Sequence, residues 1–445
     1  MSVFNLAGGL FIFVVSWIML VLDIEPFPSW FYCFMWWSYI LITDSWVFLR
    51  TGNSLLLSRT KEFLFLLPVS IVIWLIFECI NLSLKNWYYV NVIEITWLRW
   101  IGYSISFATV LPAIFETTEL LESTALLKGW QVRPRRFTPV MVNYTMLSGA
   151  VFIILCITWP RYFFPLVWCG FMLALDPVNY RLGAPSVLKE WERGSLRKPA
   201  LLMIAGLVCG IFWELWNFWA TTKWVYTVPF FDEFKLFEMT APGFLGFIPF
   251  ALECYVMTAF IYLCRRNIGW ERDTGKTWRT QRFNLLTRIA LVFCSAFFCF
   301  AVFKGIDRTT VDSFRPYIKE ITIIPAERRA RLEQCGIIMV KDLVRLKSAV
   351  HRQQEALQCI AASRDELSAW IKSAEMVMLK GMGAHNFLLL SKAGITDVDK
   401  LAQQDAHTLR MSLEHLIANG DENERIPDEA KIRAWIKAAQ NIIKA

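Results

Sequence analysis

The chain has 445 residues, 56% of them hydrophobic, with a mean hydropathy of +0.41. Such a composition excludes an ordinary water-soluble domain and reads as a polytopic membrane protein. The net charge of +8 reflects where the loops carry Lys and Arg, so nucleic acid is not an expected partner.

The 21 Trp and 35 Phe exceed what interfacial belts require, which places some rings in an interior. Of the 11 Cys, nine lie in apolar segments and none forms a C-x-x-C. They read as small buried hydrophobes rather than a disulfide framework or zinc site. His351, His385, His407 and His415 are the four His. None is in the apolar region, which argues against His-ligated haem or di-iron there; no cofactor and no metal are expected. The first apolar run has no basic start and no small-residue cleavage site, so it is expected to be retained as a helix.

A spanning helix needs about 20 largely apolar residues. In chain order, nine stretches qualify: about 6–22, 29–49, 63–84, 98–121, 140–158, 162–176, 199–220, 242–264 and 285–306. The loops 50–62, 117–139, 177–199 and 265–284 carry 3, 4, 5 and 6 Lys/Arg, against five in the loops between them. The positive-inside bias then puts the N-terminus in the cytoplasm and, after nine crossings, everything beyond Ile306 in the periplasm of a bacterial inner membrane.

Helices one to four and five to eight read as two copies. Trp36 through Asp44 matches Trp168 through Asp176, and Arg50 and Gly52 match Arg181 and Gly183 after a one-residue gap. I-W-L-I-F-E-C-I-N (73–81) and I-F-W-E-L-W-N (211–217) each set a Glu one helical turn before an Asn, Glu78 with Asn81 and Glu214 with Asn217. P-A-I-F-E ends in Glu116 and P-F-A-L-E in Glu253. Four helices per copy give both copies one orientation, as in parallel-repeat membrane proteins. Only the second copy carries the Gly/Pro run A-P-G-F-L-G-F-I-P (241–249), which tends to unwind a helix start; Gly246 to Glu253 is expected to wall a site.

Ionisable groups at membrane depth are costly and mark function by default. The expected catalytic set is Glu214, Glu253, Glu78 and Glu116. Asn217, Asn81, Trp213, Trp216, Asp44 and Asp176 are expected to bind substrate. The bland alternative has the acids near helix ends reaching water or bonding Trp and Asn neighbours. Asp44 and Asp176 also precede Arg residues closely enough to form Asp–Arg clamps. Trp87, Tyr88, Tyr89, Trp224 and Tyr226 suit an outer interface belt. The basic stretches 132–136 and 265–272 read as positive-inside signal.

Residues 307–445 turn charged, with short amphipathic helices and a weak internal repeat: C-G-I-I-M-V-K-D-L (335–343) against A-G-I-T-D-V-D-K-L (393–401), and W-I-K-S-A (370–374) against W-I-K-A-A (435–439). The run from Leu379 to Ile395 resembles a helix-hairpin-helix motif, with Gly381 and Gly383 in the hairpin; the first copy has Ile323 and Pro325 there. About the last 125 residues resemble tandem helix-hairpin-helix domains of unknown function in bacteria. The hairpin could offer backbone N–H groups to a phosphate; its expected periplasmic side favours a protein partner instead. The run 305–314 reads equally as an ordered collar or a linker.

W-V-Y (224–226) with P-F-A-L-E (249–253), echoed by W-Y-Y (87–89) with P-A-I-F-E (112–116), resembles small bacterial lycopene cyclase-type repeat proteins. That resemblance implies chemistry on an isoprenoid, an acid protonating a double bond beside aromatic faces. Those enzymes carry a second acidic residue where this chain has Cys254. The expected fold is all-α: membrane repeats at 1–138 and 139–284, a tethering helix at 285–306, and a small extramembrane domain at 307–445. Three functions fit: a membrane enzyme acting on an isoprenoid or other lipid, a transporter or channel using paired carboxylates, and a scaffold recruiting a partner through 307–445.

Overall fold

The computed structural model describes residues 2–228, 235–263, 270–271, 284–418 and 426–444. The fold is all-α with little sheet. Contacts divide the chain into two units, 1–86 with 96–221 and 230–309, and 87–95 with 222–229 and 310–445.

The first unit begins with α1 (Ser2–Val21), α2 (Phe27–Thr51) and α3 (Thr60–Leu84). After the strand β1 (Trp87–Val90), α4 (Thr96–Phe107) and α5 (Val110–Glu122) make one span broken at Ala108 and Thr109. Then come α6 (Pro139–Thr158), the short α7 (Pro160–Phe163), α8 (Val167–Leu182), α9 (Val187–Glu192) and α10 (Arg197–Trp219). Past the strands β2 (Lys223–Tyr226), β3 (Lys235–Leu236) and β4 (Met239–Thr240) lie α11 (Phe247–Tyr262) and α12 (Leu285–Thr309).

Among the described residues, eight spans are long and apolar enough to cross a membrane. They coincide with the expected stretches except 29–49. That one is α2, 25 residues long and so about 37 Å, but diluted by Asp44, Arg50 and its hydroxyls.

Local chemistry sets the helix ends. α2 starts beside Pro26 and Pro28 and ends at Gly52, whose φ of 71° lets its N–H reach back to the Phe48 carbonyl. Thr138 caps α6 by accepting from Met141 N–H, with Pro139 in the first turn. The Gly/Pro run 241–246 winds as a 3-10 turn before α11.

Small residues bring the helices together. A Cβ on Gly210 would lie 2.3 Å from the Phe247 ring, and one on Gly206 would lie 2.3 Å from the Phe247 carbonyl. α10 and α11 therefore meet through a Gly-x-x-x-Gly face. Gly149 does the same for α6 against the backbone of α8 at Ala174.

The second unit pairs β1 with β2 antiparallel, Trp87 opposite Tyr226 and Tyr89 opposite Trp224. Trp87, Tyr88 and Tyr89 are buried. The interface-belt expectation is thereby corrected for these three: a strand alternates its side chains and packs both faces here, which hydropathy alone does not register.

The unit continues with α13 (Ala326–Gln334), α14 (Val340–Arg345), α15 (Val350–Ile360), α16 (Arg364–Val377), α17 (Gly383–Lys392), α18 (Val398–Ala402), α19 (Ala406–Ala418) and α20 (Glu429–Lys444). Their core includes Leu343, Trp370, Phe387, Leu413, Ile432 and Trp435. Cys335 and Cys359, the two outside apolar segments, form a disulfide between α13 and α15. This corrects the reading of all cysteines as lone hydrophobes; spacing of 24 residues carries no sequence signal without the fold.

Candidate functional site

The most polar interior of the first unit lies where α2, α5 and the turn before α3 meet. Asp44 and Glu116 are both fully buried. Asp44 Oδ1 accepts the Leu56 N–H at 2.6 Å, while its Oδ2 has no hydrogen-bond partner. Glu116 lies beside Asp44, close enough for their charges to repel and for one carboxyl to bond the other when one is protonated, while no N–H or hydroxyl donor bonds either Glu116 oxygen. Tyr39 and Thr117 share a hydroxyl bond of 2.7 Å nearby on the same two helices.

Arg59 is the neighbouring cation, and all three of its nitrogens are committed. Nη2 donates to both Glu119 oxygens at 2.6 Å, Nε donates to Asn53 Oδ1 at 3.1 Å, and Nη1 donates to the Trp270 carbonyl. Trp270 stacks on Phe115 with centroids 5.0 Å apart. Lys198 on α10 pairs with Glu271 and lies 3.7 Å from Glu122. A pocket opens here, lined among others by Glu119, Glu122, Lys198, Tyr255 and Trp270.

On α5, Glu116, Glu119 and Glu122 follow at i, i+3 and i+6, so they share one helix face. They run from full burial to partial exposure. Sequence reasoning named only Glu116. Arg59 and Lys198 lie in loops whose charge reads as positive-inside signal, and the three-residue spacing of the acids is the sequence signal of their shared face. The basic stretch 265–272 lies outside the described residues apart from Trp270 and Glu271.

The remaining candidates fall elsewhere. Trp213 and Trp216 sit on α10 against Trp36 of α2, with centroids 5.3 and 4.7 Å apart. Phe212 stacks on Trp216 at 5.1 Å, and Trp36, Trp213 and Trp216 are all buried. Glu214 and Asn217, on the same helix, are wholly buried; Tyr32 of α2 lies within electrostatic reach of Glu214.

Glu78 accepts from Trp74 Nε1 at 2.9 Å, and Asn81 Oδ1 accepts the Asn86 N–H at 2.9 Å just beyond the end of α3. Phe250 of α11 touches the rings of Trp74, Phe77, Trp168 and Trp213. Glu253 Oε1 accepts two backbone N–H groups of α8, from Phe171 at 2.8 Å and Met172 at 3.2 Å, and its Oε2 is buried without a partner.

Asp176 accepts from the Val187 and Leu188 N–H groups at 2.8 and 2.9 Å, capping the start of α9. The Asp–Arg clamp expectation is corrected here. Arg50 donates to the Ser123 carbonyl and Arg181 to Asn143, while each Asp bonds backbone 12 residues downstream or nearly so. Free N–H groups at a turn or helix start leave those carboxylates no need of an Arg. Among the described residues, no group of three or more His, Cys, Asp or Glu is placed to hold a metal ion.

No curated protein and no solved structure matches this chain. Residues 323–442, the helical part of the second unit, match the family described as Domain of unknown function (DUF4332).

Proposed function

We propose that this is an integral membrane transporter or channel of the bacterial inner membrane, in which the Asp44–Glu116 pair takes up and releases a proton or a monovalent cation. The observation that carries the reading is Glu116: a carboxyl with zero exposure, whose oxygens no N–H or hydroxyl bonds, within hydrogen-bonding reach of a second buried carboxyl. Two buried like charges without a bonded cation cost several kcal/mol each, so the pair keeps one proton or one cation between its oxygens. Arg59 relieves this only in part: its charge acts on Glu116 from nearby, but its hydrogen bonds go to Glu119, Asn53 and the Trp270 carbonyl.

Parallel duplication fits the reading. Asp44 and Asp176 make matching bonds to backbone 12 residues on, both second helices end at a left-handed Gly, and the segments after α3 and α10 pair with each other. Orientation has independent support as well. α3, α10 and α12 all lead directly into segments of the second unit. A disulfide in that unit suits an oxidising compartment such as the periplasm, which agrees with the loop charges.

A second reading, chemistry on an isoprenoid or other lipid, draws on the rings around Phe250 and the Trp74–Glu78 bond. The third, recruitment of a protein partner, rests on the second unit alone.

Infrared difference spectroscopy of the purified protein across the neutral pH range tests the first reading. A carbonyl band of a protonated acid should be present and should vanish in both Glu116→Gln and Asp44→Asn. If the band is absent, or survives both substitutions, the pair holds no proton. If sodium or potassium then leaves the spectrum unchanged, the reading fails.

A further inference from the structure

The segment after α12 does not run free. Tyr89 N–H donates to the Thr310 carbonyl, Asp312 N–H to Tyr89, Val92 N–H to Ser313 and Arg315 N–H to Val92, at 2.8 to 3.1 Å. Residues 310–315 thus lie as a parallel strand on β1 and its extension, all within the second unit.

The turn between α16 and α17 closes over that strand. Gly381, Met382 and Gly383 alternate left-handed, right-handed and left-handed backbone, with φ of 75°, −68° and 62°. Met382 N–H donates to the Leu379 carbonyl at 2.9 Å, and the positive-φ Gly381 leaves the face of the turn open to a close neighbour. That neighbour is the carboxylate of Asp312: its Oδ2 lies 2.8 Å from where a Gly381 Cβ would stand. A Gly383 Cβ would lie 2.7 Å from Ser313 Cβ.

Lys431 of α20 pairs with Asp312 Oδ1, and both side chains are under one-tenth exposed. The same ammonium lies 3.7 Å from the centroid of the Tyr88 ring, whose hydroxyl donates to Asp428 at 2.9 Å. Asn386 donates to the Gly381 and Met382 carbonyls, and Trp435 Nε1 donates to the Lys380 carbonyl, so the turn is fixed from two sides.

We propose that the Gly381–Gly383 turn and Lys431 form a carboxylate-binding site whose resident ligand is Asp312, which makes the C-terminal module a clasp on the strand 310–315. The glycines are needed because any side chain at 381 would occupy the position of the carboxylate. The site's capacity for an anion is spent on the chain itself, so neither free phosphate nor nucleic-acid phosphate reaches it while the clasp is shut.

Backbone hydrogen exchange on the full-length protein in detergent tests this. Asp312→Ala should speed exchange at Asp312 (now Ala), Arg315, Tyr89 and Val92 by roughly tenfold or more, the factor implied by losing a charge-assisted hydrogen bond. Sodium acetate should restore protection in that variant, and should not do so when Lys431→Met is added. Asp312→Asn keeps the shape and drops the charge, and should also exchange faster while α16 and α17 keep their protection. Wild-type rates in Asp312→Asn, or failure of acetate to rescue Asp312→Ala, would overturn the proposal.

Discussion

Asp307 to Asn is the substitution whose cost the structure sets best. Asp307 lies near the end of α12 and Arg99 in α4, with side-chain exposures of 15% and 5%. Arg99 donates from Nε to Oδ1 at 2.9 Å and from Nη2 to Oδ2 at 2.7 Å, and Trp100 Nε1 donates to Oδ2 at 2.9 Å. The substitution removes the negative charge and turns one acceptor into a donor, leaving a buried guanidinium uncompensated. Breaking a buried pair in this way costs about 3–5 kcal/mol, whereas replacing both partners with apolar groups is near neutral. In SDS-titrated unfolding followed by far-UV circular dichroism, D307N and R99M should each lose about 3–5 kcal/mol. R99M/D307L should recover most of that loss. A single-variant cost below about 1 kcal/mol, the range of an exposed pair, would refute the reasoning. So would a double variant as costly as the sum of the singles.

Gly210→Ala forces a Cβ into the Phe247 ring and should cost about 1–3 kcal/mol through overpacking; pairing it with Phe247→Leu should regain part of that cost in the same assay. Outside the membrane, burial is the largest influence on Glu320 and, with Glu94 nearby, pushes its carboxyl above the usual range, against the Tyr317 N–H and Lys319. The folded state then binds more protons than the unfolded one, so Glu320's contribution to stability falls as pH rises from the ordinary Glu value through the raised one. Glu320→Gln should flatten that slope in the second unit's melting temperature measured against pH; an unchanged slope would assign it to another group.

The spans were legible because a membrane helix must satisfy its backbone internally and face lipid, which leaves an uninterrupted apolar signature. α2, expected as a ninth span, is a helix whose polar residues keep it out of the eight apolar enough to cross. The buried acids were legible too, since a carboxylate in such a run is rare enough to stand out. Their company was not. Glu253 was expected in the wall of a site; its Oε1 bonds the backbone of α8, an acceptor role that leaves no trace in residue type. Trp87 and Tyr89 were read by composition as belt residues, although pairing with β2, 134 or more residues away in the chain, buries them.

By itself, the sequence determined the helical class, eight of the nine expected apolar spans, the charge asymmetry of the loops and the switch to a charged C-terminal module. These follow from local composition, because solvent or lipid acts on each segment independently. Tertiary structure alone decided which carboxylates meet, that Glu119 and not Glu116 holds Arg59, that Cys335 bonds Cys359, and that Gly381 lies against Asp312 and Gly383 against Ser313. Those outcomes depend on distances between residues far apart in the chain, and hydrogen bonds and ion pairs act only over a few ångströms.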